Sequence, residues 1–207
     1  MSEKIHLRLV SPTTEKRAVK LKRLRNAEYR SREHLTPAEV GKLIEVLKGN
    51  RNRLRDGTMV TLCYRHALRA SEVCELEWSQ VSFEESTLYV RRAKNGKPST
   101  HPLRGDEVRM LRKIKADQQL PSSFVFTSER GGPFSPASFN WMVKRAGKKA
   151  NLPFQVHAHM LRHSAGYKLA NDNHNLRSIQ DWMGHKQISH TTRYTELSPN
   201  KFRDFWR

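Results

Sequence analysis

The sequence predicts a mainly α-helical domain that carries one small antiparallel β-sheet. Apolar residues recur at helical spacing through most of the chain, as in VGKLIEVLK and DEVRMLRKIKAD. Helix-start signals recur too, with Thr36-Pro37 and Ser135-Pro136 each placing a capping side chain before a proline suited to the first helical position. Only one place reads as paired strands: TLYVRR and STHPL flank KNGKP, whose Asn95-Gly96 is a hairpin turn signal.

Taken in order, residues 1–34 form a basic arm and residues 35–207 the folded body. The first helix lies in LTPAEVGKLIEVLK. Thr36 and Glu39 make a capping box, Leu35 and Val40 a hydrophobic staple, and Leu43, Ile44 and Leu47 the buried stripe, which Gly49 ends. A second helix covers about 53–67, and a third runs through RASEVCELEW, with Val73, Cys74 and Leu76 facing inward. After the hairpin, DEVRMLRKIKAD is helical, SSFVF is ambiguous and SERGGPF is a loop. SPASFNWMVKRAGKKAN, HAHMLRHSAGYKLAN, LRSIQDWMG and ISHTTRYTEL complete the set of helices. No internal repeat or low-complexity segment interrupts them.

Charge narrows the partner. Thirty-nine Lys and Arg against twenty Asp and Glu leave a formal +19 on 207 residues, with a sequence pI of about 10.4. Self-repulsion on that scale points to a polyanion, nucleic acid first and a membrane surface second. No apolar run reaches the roughly 20 residues that span a bilayer. No apolar stretch follows the N-terminal MSEKIHLRLVSPTTEK, so nothing reads as a secretory signal. Cys63 and Cys74 lie in apolar-periodic segments without CxxC spacing, and read as reduced core residues of a cytoplasmic protein.

Four separated places offer polar residues that can converge. LRASE sets Arg69 and Glu72 three apart, on one face of a helix. Lys94 sits beside the Asn95-Gly96 turn. HAHMLRH sets His159 and Arg162 three apart. MGHKQISHTTRYT places Tyr194 nine residues after His185. Two arginines, a lysine, two histidines and a tyrosine fit a phosphodiester. Guanidinium forks match its non-bridging oxygens, and histidines add donors, so preorganised groups replace a metal as the electrostatic clamp. A tyrosine near pKa 10 becomes a nucleophile when cations favour its phenolate. A lysine supplies the leaving hydroxyl's proton, and bond energy is kept in a phosphotyrosine link.

In order and spacing, LRASE, RRAKNGKPSTHPL, HAHMLRHSAGY and MGHKQISHTTRYT resemble the tyrosine recombinase (phage integrase) family, over roughly residues 36–200. The length resembles the short fimbrial phase-variation DNA invertases of that family. The resemblance implies the tyrosine recombinase catalytic-domain fold and a site-specific DNA recombinase that performs inversion, integration or excision. It implies that Arg69 and Arg162 clamp the scissile phosphate, that Lys94 is the acid for the 5′-hydroxyl, and that His159 and His185 bond to the phosphate or assist proton movement. Glu72 orients neighbouring groups, and Tyr194 attacks to form a 3′-phosphotyrosyl link. No cofactor is implied, neither ATP nor metal. The implied partner is double-stranded DNA with paired recombination sites, bound by a homotetramer, and no membrane is involved. Many relatives carry a sizeable N-terminal helical domain where this chain has about 35 residues. The basic arm, with Lys16, Arg17, Lys20, Lys22, Arg23 and Arg25, then lies on DNA, and an accessory DNA-bending protein assists.

Plainer readings stand beside these. Tyr194 alone reads as a packed aromatic, Arg69 as a surface cation and Glu72 as half of a local salt bridge. Lys97 lies three residues beyond Lys94, but Lys94 keeps the family's spacing to Pro102-Leu103. His157, His159 and His163 are not a specific metal pattern. His163 reads as a satisfied core histidine or one supporting the site, His190 as surface, and the four tryptophans as core anchors, with Trp206 also suited to packing on a neighbouring subunit. A non-catalytic DNA-binding regulator on the same scaffold and a type IB topoisomerase-like relaxase are the competing functions; an RNA-binding role lacks any matching motif.

Overall fold

A computed structural model describes residues 32–93 and 95–196. Among the described residues, α1 (Pro37–Leu47), α2 (Arg53–Arg65), the short α3 (Ala70–Cys74), α4 (Gly105–Asp117), α5 (Pro136–Lys149), α6 (Ala158–Asn171), α7 (Leu176–Met183) and α8 (Ser189–Glu196) accompany one antiparallel sheet of β1 (Val81–Ser82), β2 (Thr87–Val90) and β3 (Ser99–Pro102), in the order β1-β2-β3. No helix of the described chain is long and apolar enough to cross a membrane.

The caps set the helix starts. The Thr36 hydroxyl accepts from the Glu39 backbone N–H while the Glu39 carboxylate accepts from the Thr36 N–H at 2.7 Å. Ser135 caps α5 through the Ser138 N–H at 3.0 Å. Arg32, Glu33 and His34, which precede the expected start of the body, rest on it. Arg32 pairs with Glu39, Glu33 accepts from Arg193, and the His34 ring lies 4.0 Å from that of Tyr167.

The core gathers Leu43, Leu47, Met59, Leu62, Cys63, Leu76, Leu111, Phe126, Phe139, Val143 and Leu161 between α1, α2, α4, α5 and α6. A second cluster, Ala67, Ala165, Tyr167, Ile179, Met183 and Tyr194, joins α6, α7 and α8. Both cysteines are buried free thiols, and desolvation pushes the Cys74 thiol up to about 12.

Four expectations change. The third helix does not run through RASEVCELEW. It stops at Cys74, because the next backbone groups pair elsewhere: the Leu76 carbonyl accepts from the Val125 N–H at 2.7 Å, and the Trp78 N–H donates to Ser123 at 2.8 Å. That pairing also settles SSFVF, which forms an extended bridge opposite Glu77. The hairpin is not closed by a two-residue turn. Pairing ends at Val90↔Ser99, and the described residues between the strands, 91–93 and 95–98, are outside the ladder, with Asn95 in the left-handed conformation (φ 58°) its type tolerates. A third strand, β1, completes the sheet; at two residues it is too short to alternate visibly. Trp141 is not a core anchor. It is 58% exposed under the Arg145 guanidinium, whereas Trp78 and Trp182 are partly buried.

A buried polar relay ties the sheet to α2. Glu107 accepts from His66 Nε2 at 3.2 Å, which leaves His66 Nδ1 to accept from His101 Nδ1 at 3.2 Å. His101 Nε2 then accepts from the Ser99 hydroxyl at 2.8 Å, and the His101 ring stacks on Trp182 at 3.8 Å. The strand that follows the 91–98 loop is thereby fixed to α2 and α7.

Candidate active site

The cleft is built at the turn after α2. Ala67 takes a left-handed backbone (φ 51°), which costs a β-carbon residue about 1–2 kcal/mol. The strain turns its carbonyl inward, where it accepts from the guanidiniums of both Arg92 and Arg162. Two residues on, Arg69 stands at the N-cap of α3 rather than within the helix. Glu72 reaches back to it, accepting from the Arg69 N–H at 2.9 Å and from its guanidinium at 2.5 Å. The two residues meet, by capping geometry rather than by sharing a helical face.

Glu72 is the hub. Its buried carboxylate also accepts from Arg92 at 3.0 Å and from the Ala93 N–H at 3.0 Å, and it lies 3.9 Å from Arg162. Burial alone would raise its pKa; Arg92, the Arg69 N–H and Arg162 together hold the carboxyl below the usual range. One carboxylate faces three guanidiniums, so the pocket keeps a surplus of positive charge.

Arg162 projects from α6 and is nearly fully buried. It donates to the Met183 carbonyl at 2.7 Å as well as to Ala67. Desolvation, then the charges of Arg69 and Arg92, lower its pKa to about 10, which leaves it cationic at neutral pH. The end of α7 supplies three consecutive acceptors: Trp182 for Arg92, Met183 for Arg162 and Gly184 for the Lys97 N–H at 3.2 Å. Gly184 is left-handed (φ 65°), and a β-carbon there would meet the Lys97 carbonyl at 2.6 Å and Arg92 Cγ at 2.7 Å. The 91–98 loop docks here only because that position is glycine.

His185 follows immediately. Its Nδ1 is engaged with the Thr191 hydroxyl at 2.9 Å, so Nε2 is the nitrogen left for the cleft. Desolvation, then Arg162, lower its pKa to about 3. His159, one turn before Arg162, sits exposed at the rim; partial desolvation and then Arg162 bring it to about 4. Both rings are neutral at pH 7 and serve as hydrogen-bond groups.

Tyr194 comes from α8 of the same chain and is 2% exposed. Its ring lies against Gly166, where a β-carbon would come within 2.8 Å, and edge-on to Tyr167 at 5.1 Å. Its hydroxyl meets His163 Nδ1 at 2.9 Å. Desolvation pushes the phenol up to about 12, while Arg162 and Arg193 pull the other way.

Arg69, His159, Arg162, His185 and Tyr194 therefore line one cleft of about 290 Å³, with Glu72 beneath it and His163, His190 and Arg193 completing the wall. His190 is exposed, with its ring edge-on to that of His185. The expectations for Lys94, for the arm residues Lys16, Arg17, Lys20, Lys22, Arg23 and Arg25, and for Trp206 lie outside the described residues. Sequence reading did not single out Arg92. Its side chain is wholly buried and bridges Glu72 to the carbonyls of His66, Ala67 and Trp182. An arginine pair next to an apolar strand held that signal weakly, since alternation from buried Val90 turns residue 92 inward.

A helical domain with this sheet and this cleft defines the catalytic-domain class of the tyrosine recombinases, and the fold of known members agrees. The crystal structure of the XerA recombinase superposes with a TM-score of 0.72 at 26% identity, over 84% of this chain and 63% of that one. The phage integrase family model matches residues 33–201. The type 1 fimbriae regulatory protein FimB of Escherichia coli (strain K12) is 35% identical over 184 residues, covering 87% of this chain and 92% of FimB. FimE of the same strain is 33% identical over 180 residues, covering 84% and 91%. The chain belongs to the phage integrase family.

Proposed function

We infer that this chain is a site-specific recombinase that cuts and rejoins double-stranded DNA with Tyr194 as nucleophile. The observation that carries the reading is that one chain brings the Tyr194 phenol to the same cleft as the Arg69 and Arg162 guanidiniums. A phosphodiester entering there offsets the positive charge that Glu72 leaves unbalanced. Arg69 and Arg162 hold its non-bridging oxygens, and His159 and His185 donate further hydrogen bonds. The phenol oxygen attacks phosphorus. The P–O5′ bond breaks, Lys94 protonates the departing 5′-oxygen, and the 3′-phosphate stays on Tyr194. The 5′-hydroxyl of a partner duplex reverses the step in a new pairing. Glu72 orients Arg69 and the 91–98 loop.

Strand exchange of this kind joins paired sites within a homotetramer on DNA, with the outcome inversion, integration or excision. The charge of +19 supports a polyanionic partner. Lys16, Arg17, Lys20, Lys22, Arg23 and Arg25 lie on phosphates flanking the site, an accessory DNA-bending protein assembles the complex, and the reaction takes place in the cytoplasm, at the nucleoid. Similarity to the type 1 fimbriae regulatory proteins FimB and FimE favours inversion among these outcomes.

The test maps chromosomal junctions that change when the wild-type protein is expressed, then offers a nicked duplex bearing such a junction. A covalent protein–DNA adduct forms with wild type and is absent with Tyr194→Phe. Junctions that change equally with both proteins would refute the nucleophile and favour a DNA-binding regulator. Supercoil relaxation without exchanged junctions would favour a relaxase.

A further inference from the structure

We propose that His163 is a catalytic residue, the group that takes the phenol proton of Tyr194 as the phosphotyrosyl bond forms. The inference rests on Tyr194 being the nucleophile and assigns the partner that such a nucleophile needs. A phenol cannot attack phosphorus without losing its proton. Its hydroxyl already has one hydrogen-bond partner in place, His163 Nδ1 at 2.9 Å, within the range required of a general base.

Three further observations support the assignment. His163 is buried and lies in the wall of the cleft, so the relay is inside the reaction site rather than behind it. The ring is neutral: desolvation, then His159, Arg193, Arg162 and His157, lower its pKa to about 3. A neutral ring keeps one lone pair, and in the tautomer with its proton on Nε2 that lone pair is on Nδ1, where the phenol O–H donates to it; this is the tautomer the proposal assigns. Gly166, one turn further along α6, lets the Tyr194 ring lie flat against that helix, which brings its hydroxyl under His163. The other five assigned groups are already committed. Arg69 is bonded to Glu72 and Arg162 to the Ala67 and Met183 carbonyls, His185 Nδ1 is bonded to Thr191, His159 stands at the rim, and Lys94 is assigned to the departing 5′-oxygen.

The step balances. The Tyr194 O–P bond forms as the P–O5′ bond breaks; the phenol proton moves to His163 Nδ1, and Lys94 gives a proton to O5′. The charged groups that face the His163 ring are His157, His159 and Arg162 on and just before α6, and Arg193 and Tyr194 on α8, with Glu33 bonded to Arg193. All but Tyr194 and Glu33 oppose an imidazolium in the free protein. The anionic phosphate offsets them, so proton transfer is confined to the DNA-bound state.

The test measures the first-order rate of adduct formation on the nicked junction duplex for wild type, His163→Ala and His163→Gln. DNA binding by gel shift and melting temperature are followed in parallel. At pH 7 both variants lose about 10²- to 10⁴-fold, the range of general base catalysis, with binding unchanged. Glutamine can accept the phenol's hydrogen bond but cannot carry off its proton, so recovery of the wild-type rate in His163→Gln would overturn the proposal in favour of positioning alone. From pH 7 to 9 the variant rates climb about tenfold per unit as the phenol ionises by itself, while wild type stays nearly flat; a deficit that does not depend on pH would also overturn it. A 5′-bridging phosphorothiolate, whose sulfur leaves without an acid, keeps the deficit of the His163 variants. Rescue by that substrate would place His163 on the leaving-group side. Should His163→Ala melt early, His163→Gln carries the comparison. Absence of the adduct in Tyr194→Phe alongside full activity in the His163 variants would reject this inference and leave the recombinase reading standing. An adduct formed by Tyr194→Phe would reject both.

Discussion

Replacing Glu72 by glutamine keeps the side chain's size and removes its charge. In the native cleft that carboxylate is within 3.0 Å of Arg69 and Arg92 donors and 3.9 Å from Arg162, with two backbone N–H groups bonded to it as well. Glu72→Gln leaves three guanidiniums facing each other in a largely buried pocket, and the new amide N–H₂ points at donors. Breaking a buried pair by removing one partner costs about 3–5 kcal/mol. For a domain of this size, at about 2–4 °C per kcal/mol, the melting temperature falls by about 6–20 °C. Thermal unfolding followed by circular dichroism measures the fall. Inorganic phosphate then restores the variant more than it stabilises wild type, because an anion takes over the missing counter-charge. A fall of less than about 2 °C, with no differential response to phosphate, would refute Glu72 as the shared counter-ion, since exposed pairs of that kind contribute only about 0–1 kcal/mol.

Gly184→Ala is destabilising by at least about 1–2 kcal/mol from its left-handed backbone alone, and slows adduct formation because the 91–98 loop is displaced; Gly57→Ala, a helical position with nothing within 4 Å of the added methyl, is the control and is neutral or stabilising. Equal behaviour of the two variants in urea titration would contradict the docking described above. Acid sensitivity follows from His101, His163 and His185, whose folded pKa values are lowered to about 2, 3 and 3, chiefly by desolvation. The native state binds fewer protons than the unfolded chain, so this stability is complete above about pH 6.5 and is lost as pH falls toward those values, at up to about 1.4 kcal/mol per unit for each ring. Melting temperatures recorded from pH 7 to 4.5 should drop steeply; a flat profile would show that the rings protonate without opening the fold.

Much of this molecule was legible along the chain because the deciding signals were local. Thr36, Pro37 and Glu39 announce α1 by themselves, and Ser135-Pro136 announces α5, since a cap is chemistry between residues three apart. The order of Arg69, Arg162, His185 and Tyr194 was legible through family resemblance rather than periodicity. What stayed hidden was long-range. The premature end of α3 depends on residues 123–125, the width of the 91–98 loop on Gly184, and the importance of Arg92 on carbonyls supplied from residues 66, 67 and 182. The contact between His163 and Tyr194 spans 31 positions, and nothing in HAHMLRH separates its third histidine from a merely buried one.

The run of acceptors at the end of α7 has an evolutionary consequence. Trp182, Met183 and Gly184 fix two arginines and a loop through their carbonyl oxygens, which every amino acid possesses. Geometry written in the main chain makes no demand on the side chains that carry it, so what constrains Trp182 and Met183 is their own packing, on His101 and in the second core cluster, and not the bonds they give the cleft. At the glycine the backbone itself forbids an added atom, which would collide with its neighbours.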